Sequence, residues 1–215
     1  MHEPASPPVA PAVAPSTEAR AVQHEGRAYK VVSDESLLTL LVFRGGALAK
    51  AGHNHVIASH AMTGTACVPE DAARASFEIH VPVNDFTIDE PKLRALEGKE
   101  FSAEVPDSAR DGTKKNMLSE PMLDGARFPE IVLQAGRMER GSEGMLAQVS
   151  VSIRGQTRSV TVPIRYEMRG KEVRAQGQFA LKQTDLGLTP FSLLGGALRV
   201  EDEMTAKFSV LARAE

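Results

Sequence analysis

Apolar and polar residues alternate one for one along much of this chain. In residues 77–83, Phe77, Ile79, Val81 and Val83 fall on one side, and Glu78, His80 and Pro82 on the other. Period-two alternation puts successive side chains on opposite faces of a sheet, so this segment is predicted to be a half-buried strand. The second half repeats the pattern. Met145, Ala147, Val149, Val151 and Ile153 form one apolar row, and Val160, Val162, Ile164, Tyr166 and Met168 a second. Val173, Ala175, Gly177, Phe179 and Leu181 form a third, and Met204, Ala206, Phe208 and Val210 a fourth. Residues 37–43 (LLTLLVF) are apolar on both faces, as expected of a strand covered on both sides. The turns between the later rows, Arg154-Gly155-Gln156-Thr157 and Arg169-Gly170-Lys171, are short. Short links between alternating strands make sequence neighbours antiparallel neighbours, an up-and-down meander.

Such strands need something to cover their apolar faces, and the sequence has too few helices to do it. Closing the sheet on itself covers the faces and removes the edges, so the fold expected is all-β, an eight-stranded antiparallel up-and-down barrel. A barrel of about eight strands is either just filled by its own side chains or holds one small ligand. The pattern breaks over residues 85–128. There Asp89-Glu90-Pro91 offers a capping acid and a first-turn proline for a helix, with Gly98 as its stop. A second helix is predicted from Pro106-Asp107 through Lys114 and Lys115 toward Leu118, weakened at Gly112 by about 1 kcal/mol. An excursion this long inside one domain is expected to be functional or to cap the barrel.

Composition narrows the picture. The 215 residues carry 25 Lys+Arg against 28 Asp+Glu, a net charge of −3, which argues against a nucleic-acid partner. No apolar run approaches the roughly 18 residues of a membrane helix. Five of the 13 prolines stand in the first 15 residues, so residues 1–26 are expected to be a Pro/Ala-rich flexible tether and residues 27–215 the folded domain. The tether lacks the basic start and continuous apolar stretch of a signal peptide. The one cysteine, Cys67, excludes an intrachain disulfide and a Cys-rich zinc module, and no activating neighbour marks it as reactive. Aromatics make up 5% of the chain and Trp is absent, so a barrel interior would be lined by small aliphatic side chains.

Two groups of residues are candidates for chemistry. In Gly52-His53-Asn54-His55 the histidines are spaced i, i+2, so on a strand their rings share a face about 7 Å apart. They read either as two hydrogen-bonding histidines stiffened by Gly52 or as two ligands of a tetrahedral metal, with His60 on the opposite face. Arg154 and Arg158 flank a hairpin turn and read either as a solvated hairpin end or as a clamp for an anionic head group at a barrel mouth. The acids Asp85, Asp89, Glu90, Glu97, Glu100 and Glu104 are best explained by helix starts and solubility, and His80 by the surface. No GxSxG elbow, phosphate-binding P-loop or dinucleotide-binding glycine motif is present.

Several segments resemble the YceI family of lipocalin-like, polyisoprenoid-binding proteins. YKVVSDESLLTLLVF at residues 29–43 looks like its first two strands. GHNHVIASHAMTG at residues 52–64 looks like a GHNH-containing subgroup, and VSIRGQTRSVTVPI at residues 151–164 like the family's RGxTR signature. Residues 182–204 look like its closing region. Two departures stand out: Lys114-Lys115-Asn116-Met117-Leu118 replaces an Arg-Asp-x-His-Leu run, and Leu186 stands where Phe is usual. The resemblance implies a non-catalytic binder or carrier of a long isoprenoid or fatty chain, exported to the periplasm, often dimeric and sometimes stress-associated. Its bound lipid takes the place of a cofactor. The apolar wall would then be Leu38, Leu40 and Val42; Phe77, Ile79 and Val81; Val149, Val151 and Ile153; Val160, Val162 and Ile164; Phe179 and Leu181; and Phe208. His53, His55, Arg154 and Arg158 are the residues expected to meet a polar head. The competing readings are a metal-dependent or other His-based activity at His53 and His55, and an interaction module whose barrel is filled.

Overall fold

The computed structural model describes residues 26–215, so the expected tether lies almost wholly outside the described residues. The first half of the barrel is built from three interrupted courses of chain. Strands β1 (Arg27–Val31) and β2 (Leu37–Gly45) are separated by a 3-10 turn at Ser33–Glu35. Strands β3 (His55–Ser59) and β4 (Thr63–Val68) form the second course, and β5 (Ser76–Pro82) and β6 (Thr87–Ile88) the third. The helices α1 (Pro91–Ala95) and α2 (Asp107–Leu118) follow, then β7 (Glu130–Ala135), β8 (Met138–Gly141), β9 (Gly144–Ile153), β10 (Gln156–Arg169) and β11 (Glu172–Lys182). The chain ends with β12 (Ser192–Leu193) and the long β13 (Leu198–Ala214).

Hydrogen bonding runs β1-β4-β5-β7-β9-β10-β11-β13 and returns to β1 through Tyr29↔Ala214 and Val31↔Ala212. Eight antiparallel strands thus close on themselves, as the alternation predicts. On the side away from β11 the 17-residue β13 meets two strands of the first course: its end pairs with β1, and Arg199 to Ser209 pair with β2. Counting each interrupted course once, barrel neighbours are sequence neighbours, so the order is up-and-down.

The alternation fixes which side chains face inward. Met145, Ala147, Val149, Val151 and Ile153 of β9 are all buried, while Leu146 and Gln148 are exposed. Each Val or Ile buried there contributes about 1.5–3 kcal/mol. Residues directly opposed across a pair share a face. The registers Val160↔Val149, Leu133↔Val151, Ile79↔Leu133, Phe179↔Ala206, Leu181↔Met204 and Leu38↔Phe208 therefore turn both members of each pair inward.

The two-faced apolar run of β2 has its cover. Leu41 packs outside the barrel with Val56 and Phe101 in a second small core, joined by Phe43 and Leu93. The rings of Phe43 and Phe101 meet edge-on at 5.7 Å. Helix α2 occupies the predicted residues. Helix α1 is shorter than Gly98 as its stop implies: it ends at Ala95, and Gly98 instead opens a 3-10 turn at Lys99–Phe101 that delivers Phe101 to this core.

Candidate functional site

The barrel encloses a cavity of about 430 Å³, within the roughly 300–1,000 Å³ of small-molecule pockets. All the expected wall residues line it: Leu38, Leu40, Val42, Phe77, Ile79, Val81, Val149, Val151, Ile153, Val160, Val162, Ile164, Phe179, Leu181 and Phe208. Ala66, Ala175 and Ala206 line it too, and their small side chains leave the centre open. The barrel is therefore not filled by its own side chains. One end is covered by Met117, Met122 and Leu123 with Leu186, Leu188 and Phe191; Ala72 and Ala75 reach the other.

Polar groups gather at the helical end, where Arg44, His53, His55, Thr113, Asn116, Gln183 and Arg199 join the lining. Residues 52–55 are held from several sides. The guanidinium of Arg44 donates to Gly52 O (2.6 Å), and the Arg44 N–H donates to Asn54 Oδ1 (3.0 Å). Asn54 Nδ2 donates to Glu100 O (3.1 Å), and Asn54 O accepts from Arg94 Nη1 (2.8 Å). Only His55 lies on the strand, yet the two imidazoles stand 6.1 Å apart between ring centres. Both rings line the cavity, although His53 precedes the strand.

Behind His55 lies a buried carboxylate. Asp89 Oδ2 is 2.6 Å from His55 Nδ1, while Oδ1 accepts from the Val56 N–H (2.8 Å) and from Arg94 Nη1 (2.5 Å). The Asp89 side chain is 0% exposed and that of His55 14%. Arg94 is itself buried and spends Nη2 on Ala103 O (2.9 Å). Burial opposes ionisation of Asp89, but the His55 imidazole, the Val56 N–H and the Arg94 guanidinium outweigh it and hold its carboxyl below the ordinary value. An ionised carboxylate only accepts, so Nδ1 of His55 carries the shared proton and Nε2 faces outward from Asp89. Thr113 Oγ1 lies 3.3 Å from that Nε2 and 2.9 Å from Ala109 O, dividing one hydroxyl proton between two acceptors. The pKa of His53 is lowered by burial first, then by the nearby charges of His55, Arg44 and Arg94. The cavity thus ends in a neutral His53 imidazole and an oriented His55, both suited to hydrogen-bond the polar end of an otherwise apolar molecule.

Asp89, Arg94 and Thr113 escape the sequence reading. Before Glu90-Pro91, an aspartate looks like a helix cap, and the acids of this stretch look like solvated ones. Instead Asp89 adopts φ +56° and turns inward, and the N-cap position falls to Glu90 with no side-chain cap bond. The one signal in the sequence is an acid and a base five residues apart, Asp89 and Arg94, and it is weak. As a metal site the pair lacks a third donor. Both ring nitrogens of His55 already face protein groups, His60 is turned away to Glu90 (2.9 Å), and among the described residues no three His, Cys, Asp or Glu side chains are arranged to hold a metal ion.

Arg154 and Arg158 do not line the cavity. Ile153↔Gln156 pairing leaves a two-residue turn, Arg154-Gly155, with φ of +50° and +70°. Both residues are left-handed, as such hairpins require. Arg154 Nη2 donates to Glu120 O (2.9 Å) and Arg158 Nη2 to Gln156 Oε1 (2.8 Å). Arg158 packs beside Gly187, next to Leu186 of the cavity wall.

The fold has solved counterparts. It superposes on Burkholderia cenocepacia BcnA with a TM-score of 0.60 at 14% identity, covering 84% of this chain and 98% of that one. A polyisoprenoid binding domain from Saccharophagus degradans implicated in plant cell wall breakdown gives 0.59 at 11% identity, covering 88% and 99%. The Campylobacter jejuni YCEI protein gives 0.50 at 8% identity, covering 72% and 81%. No curated protein sequence matches the chain. Residues 29–212 match the YceI-like domain, to whose family this closed barrel with its open apolar centre belongs.

Proposed function

We propose that the protein binds and carries one long-chain isoprenoid or related lipid, its chain in the barrel and its polar end against His53 and His55. The observation that carries this reading is the cavity itself: a chamber walled mostly by apolar side chains, with its histidines and arginines gathered at one end. Each methylene moved from water into such a chamber contributes about 0.8 kcal/mol, so affinity grows with chain length without any specific contact. The polyisoprenoid-binding domain of the same fold supports the choice of ligand. The reading assigns His53 and His55 to binding the polar end of the ligand. Arg154 and Arg158 serve the ligand indirectly, by holding the rim at the polar end. An exported, periplasmic setting and a homodimer complete the proposal on the strength of the resemblance.

The test is organic extraction of purified protein followed by mass spectrometry. A long-chain lipid recovered in near one-to-one amount supports the reading. Recovery of none, from protein that also fails to take up an added isoprenoid alcohol, refutes it.

A further inference from the structure

A long stretch of the barrel wall between β10 and β11 has no ladder. Strand β10 pairs with β9 from Gln156 to Ile164, but its pairing with β11 is confined to Arg165–Arg169 against Glu172–Gln176. Beyond that point, Gly177–Lys182 of β11 pair with β13 alone. The break begins where Pro163, which has no N–H to give a ladder, meets Gly177. A side chain at Gly177 would come within 2.3 Å of Pro163 O and 2.5 Å of the Phe208 ring, so only glycine lets the strands lie this close before they part.

Exposure follows the break. Val160, Val162, Phe179 and Leu181 face the cavity from the two flanking strands and are only half-buried. Their partners on the outer neighbours, Val149, Ala147, Ala206 and Met204, are buried. A surface recess between the β8–β9 turn, Pro163 and Gln176–Gln178 reaches Met145, Ile164 and Phe208, and those three side chains also wall the cavity.

We propose that the seam between β10 and β11 is a lateral portal, through which the apolar chain enters and leaves the cavity sideways. This rests on the reading of the barrel as a lipid binder. Helix α2 and residues 186–191 lie over the polar end, and the strand pairs flanking the seam, β9–β10 and β11–β13, are bonded along its length. Between residues 160–164 of β10 and 177–182 of β11 there is no ladder to break. The long tail of an isoprenoid can then slide in along its length, with its polar end reaching the His53 and His55 end of the chamber.

The seam can be closed by a bridge. Thr161 and Ala180 are exposed, and continuing the β10–β11 register sets them opposite one another. Cys67, the one native thiol, is buried and does not compete. Thr161→Cys/Ala180→Cys is joined by oxidation, or by a short bis-maleimide where the thiols stand too far apart. Stopped-flow exchange of a fluorescent isoprenoid alcohol is then measured in bridged and unbridged protein. Bridging is expected to slow both association and dissociation by about tenfold or more, leaving the equilibrium affinity unchanged. Ala180→Cys/Thr205→Cys, across the bonded β11–β13 pair, is expected to leave both rates as they are. Unchanged exchange in the bridged seam overturns the portal while the binding reading stands. Absence of probe binding to the unmodified protein overturns the binding reading and the portal with it.

Discussion

Asp89 anchors the polar end of the cavity. It is buried, it orients His55, and it neutralises Arg94, which in turn grips Asn54 O and Ala103 O. Removing one member of a buried ion pair leaves the other uncompensated, so Asp89→Asn is expected to cost about 3 kcal/mol in urea unfolding at neutral pH. The pH dependence has a definite sign. The folded carboxyl titrates below its ordinary value of 3.8, so its contribution is present above 3.8 and is lost as pH falls below that value. Wild-type stability should therefore drop more steeply than that of Asp89→Asn below pH 3.8, and parallel acid limbs would argue against the network. Two histidines offer a second check by NMR titration. His53, lowered by burial and neighbouring cations, should titrate below 6.5, and His80, raised by Glu130 and Glu78, above it. Coincident midpoints would contradict both environments. His53 and His55 were legible in the chain because their spacing is local. Asp89, Arg94 and Thr113 were not, because the contacts that define them join positions far apart in sequence or depend on a left-handed backbone at Asp89.

The excursion between β6 and β7 has two tasks, and they separate by substitution. Phe101 fills the outer core against Leu41, Val56 and Phe43 and does not touch the cavity. Phe101→Ala should cost about 3–5 kcal/mol in chemical denaturation while leaving the affinity for an isoprenoid probe unchanged. A matching loss of affinity would mean that the cover and the cavity are one cooperative unit. The long second-half strands were readable directly, because strict alternation over Met145 to Ile153 admits one sheet face and no helix. The double apolar run in β2 announced its outer cover. What the alternation hides is continuity: the interruptions at residues 32–36, 60–62 and 83–86, and the parting of β10 from β11, depend on partners across the sheet.

The molecule is hollow because its inward positions are modest in size. Ala66, Ala175, Ala206 and Ala212 among the wall strands leave a chamber of about 430 Å³ in a barrel of eight strands, which larger side chains would fill. The sequence supplied the inward rows but not this outcome, since the same rows are compatible with a filled core. Ala206 lies midway along β13, opposite Phe179 and Leu40, so Ala206→Phe places a ring in the centre of the chamber. The most direct measurement is an equilibrium titration of wild type and Ala206→Phe with a fluorescent isoprenoid alcohol, with folding of the variant verified by circular dichroism. Saturable one-to-one binding by the wild type, weakened about tenfold or more in Ala206→Phe, is the expected result. No saturable binding by the wild type, or equal affinity in a folded Ala206→Phe, would contradict a lipid held inside the barrel.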